Sequence, residues 1–147
     1  MDKITLPDAA VMFGVNATTL NEWVRGGVLK ASGGGRQGCV REFSLTTALA
    51  IGICRSLRQQ GATIASLAPI GQFLGKLSID QLESAFYRGQ TLLIAADGLP
   101  PQLAAPGDVI CHRQGAVELL ARVDLEAAYR ILLAGLKQFR ETQAVMN

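Results

Sequence analysis

The chain has 147 residues, of which 49% are hydrophobic, and a formal net charge of +2. That length fits one domain or two very small ones, and the hydrophobic share excludes a chain dominated by disorder. No apolar run reaches the roughly 20 residues of a membrane span, and Asp2 and Lys3 lead straight into a helix-start signal instead of a secretory pattern, so the sequence predicts a cytoplasmic protein with no membrane partner.

Thr5-Leu6-Pro7-Asp8 reads as the start of a first helix. Thr5 can cap free backbone N–H groups, Pro7 suits the first turn, and Asp8 fits the third position of a capping box. Gly14 suits the left-handed stop, and Asn16 can cap a second helix from about Ala17 to Arg25, ended by Gly26-Gly27. Leu20, Trp23 and Val24 face the core if Val15 and Ala17 begin the packing. Val28 to Phe43 then carries four glycines, one Lys and two Arg between short apolar ends. This predicts a mobile basic loop between two strands.

Ser44 can cap a third helix to about Gln60, with Leu45, Ala48, Leu49, Gly52, Ile53 and Leu57 as its apolar stripe. Gly61 stops it. Thr63 starts a fourth helix on which Ile64, Leu67, Ile70 or Gly71, and Leu74 recur, and Gly75-Lys76 marks a break. Ser78 or Asp80 opens a short helix through Tyr87. Thr91 to Ala96 is a compact apolar run closed by Asp97-Gly98, which reads as a buried strand and turn. Pro100, Pro101 and Pro106-Gly107 punctuate the next stretch. Val109-Ile110-Cys111 predicts a short strand, and the alternation from Val117 to Val123 another. Asp124 caps a last helix with Leu125, Ala128, Leu132, Leu136 and Phe139 on one face. The predicted class is α+β: a unit of four helices and a basic β-hairpin over residues 1–75, then a small α/β unit over 76–147 that ends in a long helix.

The spacing of helix, tight turn, helix and glycine-rich hairpin suits a winged helix-turn-helix that grips duplex DNA. Thr18, Asn21 or Glu22, and Arg25 share the polar face of the second helix. Thr and Asn can donate to phosphates or base edges, and Asn can pair with adenine through two hydrogen bonds. Arg25 can reach a phosphate or a guanine, and the helix N-terminus near Ala17 offers N–H groups and a positive dipole end. Glu22 either accepts from cytosine or pairs with Arg25. The hairpin supplies Lys30, Arg36, Gln37 and Arg41, while Gly33-Gly34-Gly35 permits close approach to a backbone. No Gly-Lys-Ser/Thr ends the glycine run, so it is not a P-loop. Charge follows the same division, with +3 over residues 1–62 and −1 over 63–147. That excess is modest, and a bare hairpin turn remains the plainer alternative.

These residues resemble the MerR family of bacterial transcription regulators. That family's reading helix carries Thr-Leu-Arg-Tyr-Tyr-Glu and then Arg-x-Gly-Leu-Leu; the aligned run here is Thr19-Leu20-Asn21-Glu22-Trp23-Val24-Arg25-Gly26-Gly27-Val28-Leu29. The family's wing ends in Gly-Tyr-Arg-x-Tyr-Ser, and Gly38-Cys39-Val40-Arg41-Glu42-Phe43-Ser44 is similar with one inserted residue. Gly61-Ala62-Thr63-Ile64 is similar to the family's Gly-Phe-Ser-Leu step into the fourth helix. The resemblance covers about residues 4–75. Asn21 and Glu22 replace an Arg and a Tyr of the pattern, and Val40 replaces a Tyr, so the contact set departs from the family's. Trp23-Val24-Arg25-Gly26-Gly27 also resembles the excisionase-type helix-turn-helix of the same superfamily. The resemblance implies DNA contacts from Thr19, Arg25 and Arg41. It also implies a homodimer built through the C-terminal half, on a near-palindromic site that it distorts. The apolar face of the last helix suits such a dimer, or burial on its own sheet.

Other chemistry has little footing. Cys39, Cys54 and Cys111 are too widely spaced for a disulfide framework, and Cys54 reads as a core residue. Cys111-His112 is the only adjacent pair of soft ligands and falls short of a zinc set within one chain. No nucleophile–base arrangement suggests an enzyme, and Asp97 and Asp108 fit turns. No cofactor is expected. Phe86, Tyr87 and Arg88 line an effector pocket between the two halves, or serve as core. Three functions stay open: a homodimeric regulator bound to double-stranded DNA, with or without a small-molecule effector; an excisionase-like architectural protein; and a protein-interaction module that uses the same fold without DNA.

Overall fold

A computed structural model describes residues 3–34, 38–95, 100–105, 111–112, 115–116 and 119–146. The class is α+β, with six helices among the described residues and small antiparallel sheets. In chain order the helices are α1 (Leu6–Phe13), α2 (Ala17–Arg25), α3 (Leu45–Gln59), α4 (Ile64–Gly75), α5 (Ile79–Tyr87) and α6 (Leu125–Met146). The strands are β1 (Lys3–Thr5), β2 (Glu42–Ser44), β3 (Thr91–Ala95), β4 (Gln102–Ala104), β5 (Cys111–His112), β6 (Gly115–Ala116) and β7 (Leu119–Val123). No helix among the described residues is long and apolar enough to cross a membrane.

The helix starts follow local side-chain chemistry. The Thr5 hydroxyl accepts the Asp8 N–H at 3.3 Å, and the Asn16 carboxamide accepts the Thr18 N–H at 2.8 Å. Ser44, Thr63 and Ser78 cap α3, α4 and α5, and Ser78 forms a reciprocal box with Gln81. The Asp124 carboxylate accepts the Ala127 N–H at 3.1 Å at the start of α6. Each cap satisfies a donor the helix cannot. Gly14 ends α1 at φ 62°, left-handed backbone that favours glycine.

The expected two-stranded hairpin between Val28 and Phe43 is not what forms. β2 pairs with β1 at the chain start, with Ile4 opposite Phe43. A single bridge, Ser32 to Glu42, closes the glycine-rich loop. The physical reason lies at both ends of the loop. Val28 and Leu29 are buried and donate their N–H groups to the Trp23 carbonyl, so they turn under α2 and do not extend. Gly33 and Gly34 adopt φ 70° and 79° and offer no side chains for cross-strand pairs.

α3 lies at the centre. Thr46, Thr47, Ala50, Ile51 and Cys54 are buried beside most of the expected stripe, because α1, α4, α6 and the β1–β2 pair surround the helix. A helix covered on most sides buries more than one stripe. α4 presses Gly71 onto the turn after α2, where a Cβ would overlap the Val28 carbonyl. Gln72 Nε2 also donates to the Gly27 carbonyl at 3.1 Å.

In the second half, β3 runs between β4 and β7, with Leu92, Leu93 and Ile94 buried. Strand β4 has no counterpart among the elements the sequence predicts. The turn at Asp97-Gly98 and the segments Pro106–Ile110 and Val117-Glu118 lie outside the described residues, as do the side chains of Cys111 and His112. α6 returns to pack on α1, α3 and β3, burying Leu125, Leu132 and Leu136. The apolar face proposed for a partner is thus occupied by the helix's own chain. Tyr87 neither lines a pocket nor joins the core, being 95% exposed, whereas Phe86 is half-buried and its ring meets that of Tyr129 of α6 at a tilt of 39°, centroids 5.7 Å apart.

Candidate nucleic-acid interface

Leu20 and Trp23 fix the rotation of α2. Both are buried, and their burial turns the opposite side of the helix outward. Thr18, Glu22 and Arg25 are exposed, and Thr19 and Asn21 are half-buried. Val15 and Val24 are half-buried at the margin of the core, but Ala17 is exposed and takes no part in the packing. The first residue of the helix lies beyond the neighbours that cover Leu20.

The loop after β-bridge residue Ser32 folds back across the start of α1. The Leu6 N–H donates to the Arg41 carbonyl at 2.8 Å, and Ser32 and Glu42 exchange backbone hydrogen bonds at 2.9 and 2.8 Å. This tether brings the loop and α2 onto one cleft of about 390 Å³. Asn21 and Arg25 enter it from α2, Leu6 and Pro7 from α1, and Gly34, Cys39, Val40 and Arg41 from the loop. Gly34 is required there: a Cβ would overlap the Arg41 side chain, and its φ is 79°. Arg41 thus lies across a bare stretch of backbone. Its Nη1 is buried and has no hydrogen-bond partner among the described residues. A guanidinium nitrogen left so is costly unless an acceptor arrives from outside the chain.

Three of the sequence-chosen residues, Asn21, Arg25 and Arg41, therefore line one cleft, and no carboxylate is among the described residues that line it with them. Thr18, Thr19 and Lys30 are not among its walls; Thr18 and Lys30 are exposed, and Thr19 is half-buried. Arg36 and Gln37, with Gly35, lie outside the described residues. Two local expectations change. The Thr18 N–H is taken by Asn16, so the α2 N-terminus offers one donor fewer than the bare helix would. Glu22 does not pair with Arg25; the one ion pair among the described residues is Arg130–Glu126 at 2.6 Å on α6. An exposed pair of long side chains gains too little to hold one geometry. Sequence reasoning did not place Pro7 and Cys39 at the cleft. Nothing in their residue types marks them, since they arrive through the Leu6–Arg41 tether.

No protein-family model matches the chain, and no curated protein matches it. The likeness to MerR regulators thus rests on the residues of α2, the loop and the α3–α4 step alone.

Proposed function

We propose that the chain is a sequence-specific DNA-binding transcription regulator of the winged helix-turn-helix kind that acts as a homodimer. The observation that carries the reading is the convergence of Asn21, Arg25 and Arg41 on one cleft, with no carboxylate among its described lining residues and an Arg41 nitrogen buried without a hydrogen-bond partner among the described residues. A phosphate oxygen supplies the missing acceptor. Arg25 and Arg41 hold the backbone, exposed Lys30 adds a third cation, and Thr18 and Asn21 on the outer side of α2 face the base edges. Gly33 and Gly34 keep the loop low enough to straddle the strand.

The dimer in this reading is built on the far end of α6. That helix has 22 residues, or about 33 Å, and its last buried residue is Leu136. Residues 140–146 are exposed, with Val145 and Met146 86% and 77% accessible. Two such ends can pair without disturbing Leu125, Leu132 and Leu136. A two-fold protein then asks for a two-fold site.

The test is selection of duplex oligonucleotides on the full chain, followed by footprinting. The reading expects enrichment of one inverted repeat with protection over a single spacer. Protection over phased direct repeats would favour the architectural reading instead, and no enrichment would favour a protein-interaction module, for which the exposed, unpaired Glu22 speaks.

A further inference from the structure

A second concavity differs from that cleft in both place and chemistry. It is a groove of about 710 Å³ between α1, α3, β7 and α6, within the usual range for small-molecule sites. Phe13, Ile53, Leu57, Val123 and Leu132 make its walls. Two glycines hold it open. A Cβ on Gly135 of α6 would meet nothing within 4 Å, and one on Gly52 of α3 would touch only the Phe13 ring at 3.4 Å. Glycine inside a helix costs stability relative to alanine, so both positions exchange helix strength for space.

The groove also carries charge of one sign. Arg55 from α3 and Arg122 from β7 line it, with Ser56 and Gln60 as neutral polar neighbours, and no Asp or Glu is among the described residues that line it. The Arg55 guanidinium lies beside Gly14 at the end of α1. Neither guanidinium forms a hydrogen bond or ion pair with another described residue. An apolar trough with two unpaired guanidinium groups and no opposing carboxylate is complementary to an amphipathic anion.

We propose that this groove is a binding site for a small amphipathic carboxylate, with an apolar body against Phe13, Ile53 and Leu132 and its carboxylate at Arg55 and Arg122. The site stands independently of the DNA reading. Because its walls join α1 and α3 to β7 and α6, an occupant touches both halves of the chain at once.

Titration calorimetry on the full chain tests it, with decanoate and decylamine as probes. Decanoate binds one per chain and at least tenfold more tightly than decylamine, and each added methylene between octanoate and dodecanoate tightens binding about three- to fourfold. Gly135→Leu, which puts a side chain into the open space, abolishes decanoate binding. Arg122→Glu, at an exposed position that leaves the apolar walls untouched, weakens decanoate at least tenfold and narrows or reverses its preference over decylamine. Equal binding of the two probes, no decanoate binding at millimolar concentration, or unchanged binding by folded Gly135→Leu and Arg122→Glu overturns the proposal. So does a chain that is a dimer, ignores decanoate and becomes monomeric on Gly135→Leu, which would give the groove to a second copy.

Discussion

The cleft beside α2 and the groove beneath α6 are built by opposite means. The cleft beside α2 is small and made by a loop laid across two helix ends, with polar side chains supplied by Asn21, Arg25 and Arg41. The groove under α6 is nearly twice as large, bounded by regular elements and apolar on most of its walls. In the cleft, glycine permits an arginine to lie against backbone. In the groove, glycine leaves a hole. Both hold arginines with no carboxylate among their described lining residues. The cleft is shaped to meet a large charged surface from outside, the groove to enclose a small body.

The comparison is broken most severely at the anchor of α2. Trp23→Ala removes the largest side chain holding that helix and should cost about 3–5 kcal/mol, read by urea or thermal unfolding. A cost under about 1 kcal/mol would mean that α2 is not positioned by its burial. Next in size is Arg41→Ala, expected to lower duplex affinity about tenfold, equally on all sequences, without moving the unfolding midpoint much. Asn21→Ala should instead change which sequences are preferred, and loss of affinity without changed preference would remove Asn21 from base reading. Deleting residues 141–147 should change stability by no more than about 0.5 kcal/mol, since residues 141–146 are exposed, while converting the dimer to monomer by sedimentation. A dimer that survives the deletion would move the interface elsewhere.

The smallest effect concerns the thiols. Cys39 is exposed at the cleft, whereas Cys54 is buried in α3, where loss of hydration pushes its thiol up to about 12. Iodoacetamide at pH 8 should label Cys39 and spare Cys54 in the folded chain, as mapped by mass spectrometry. Between pH 9.0 and about 12 the unfolded chain releases a proton that the fold retains. Burial of Cys54 therefore lowers stability as pH rises through that window, and Cys54→Ala should flatten that part of the decline.

What could be read in the sequence was whatever depends on neighbours along the chain. The caps at Thr5, Asn16, Ser44, Thr63, Ser78 and Asp124 need only residues two or three positions away, and all were legible except that Ser78 stood beside Asp80 as an alternative. The orientation of α2 was legible because Leu20 and Trp23 share a face. Pairings across the chain were not. β1 is three residues long and finds its partner almost forty residues later; Lys3-Ile4-Thr5 alone gives no sign of it. β4 follows two prolines and shows no alternation over Gln102–Ala104. The overlap at Gly71 and the space at Gly135 are also tertiary facts, since a helical glycine looks the same in sequence whether it meets a carbonyl or nothing. Of the candidate site, α2 and Arg41 were readable from helical period and charge. The buried Arg41 nitrogen was not, because it depends on the tether to Leu6.

The central claim is most directly tested by the salt dependence of duplex binding. If Arg25, Lys30 and Arg41 of each copy meet phosphates, the logarithm of the binding constant should fall linearly with the logarithm of salt with a slope of about −5, and Arg41→Ala in both copies should reduce its magnitude by about 2. A full-length dimer with no measurable duplex affinity at low salt, or one whose slope is untouched by Arg41→Ala, would contradict the account.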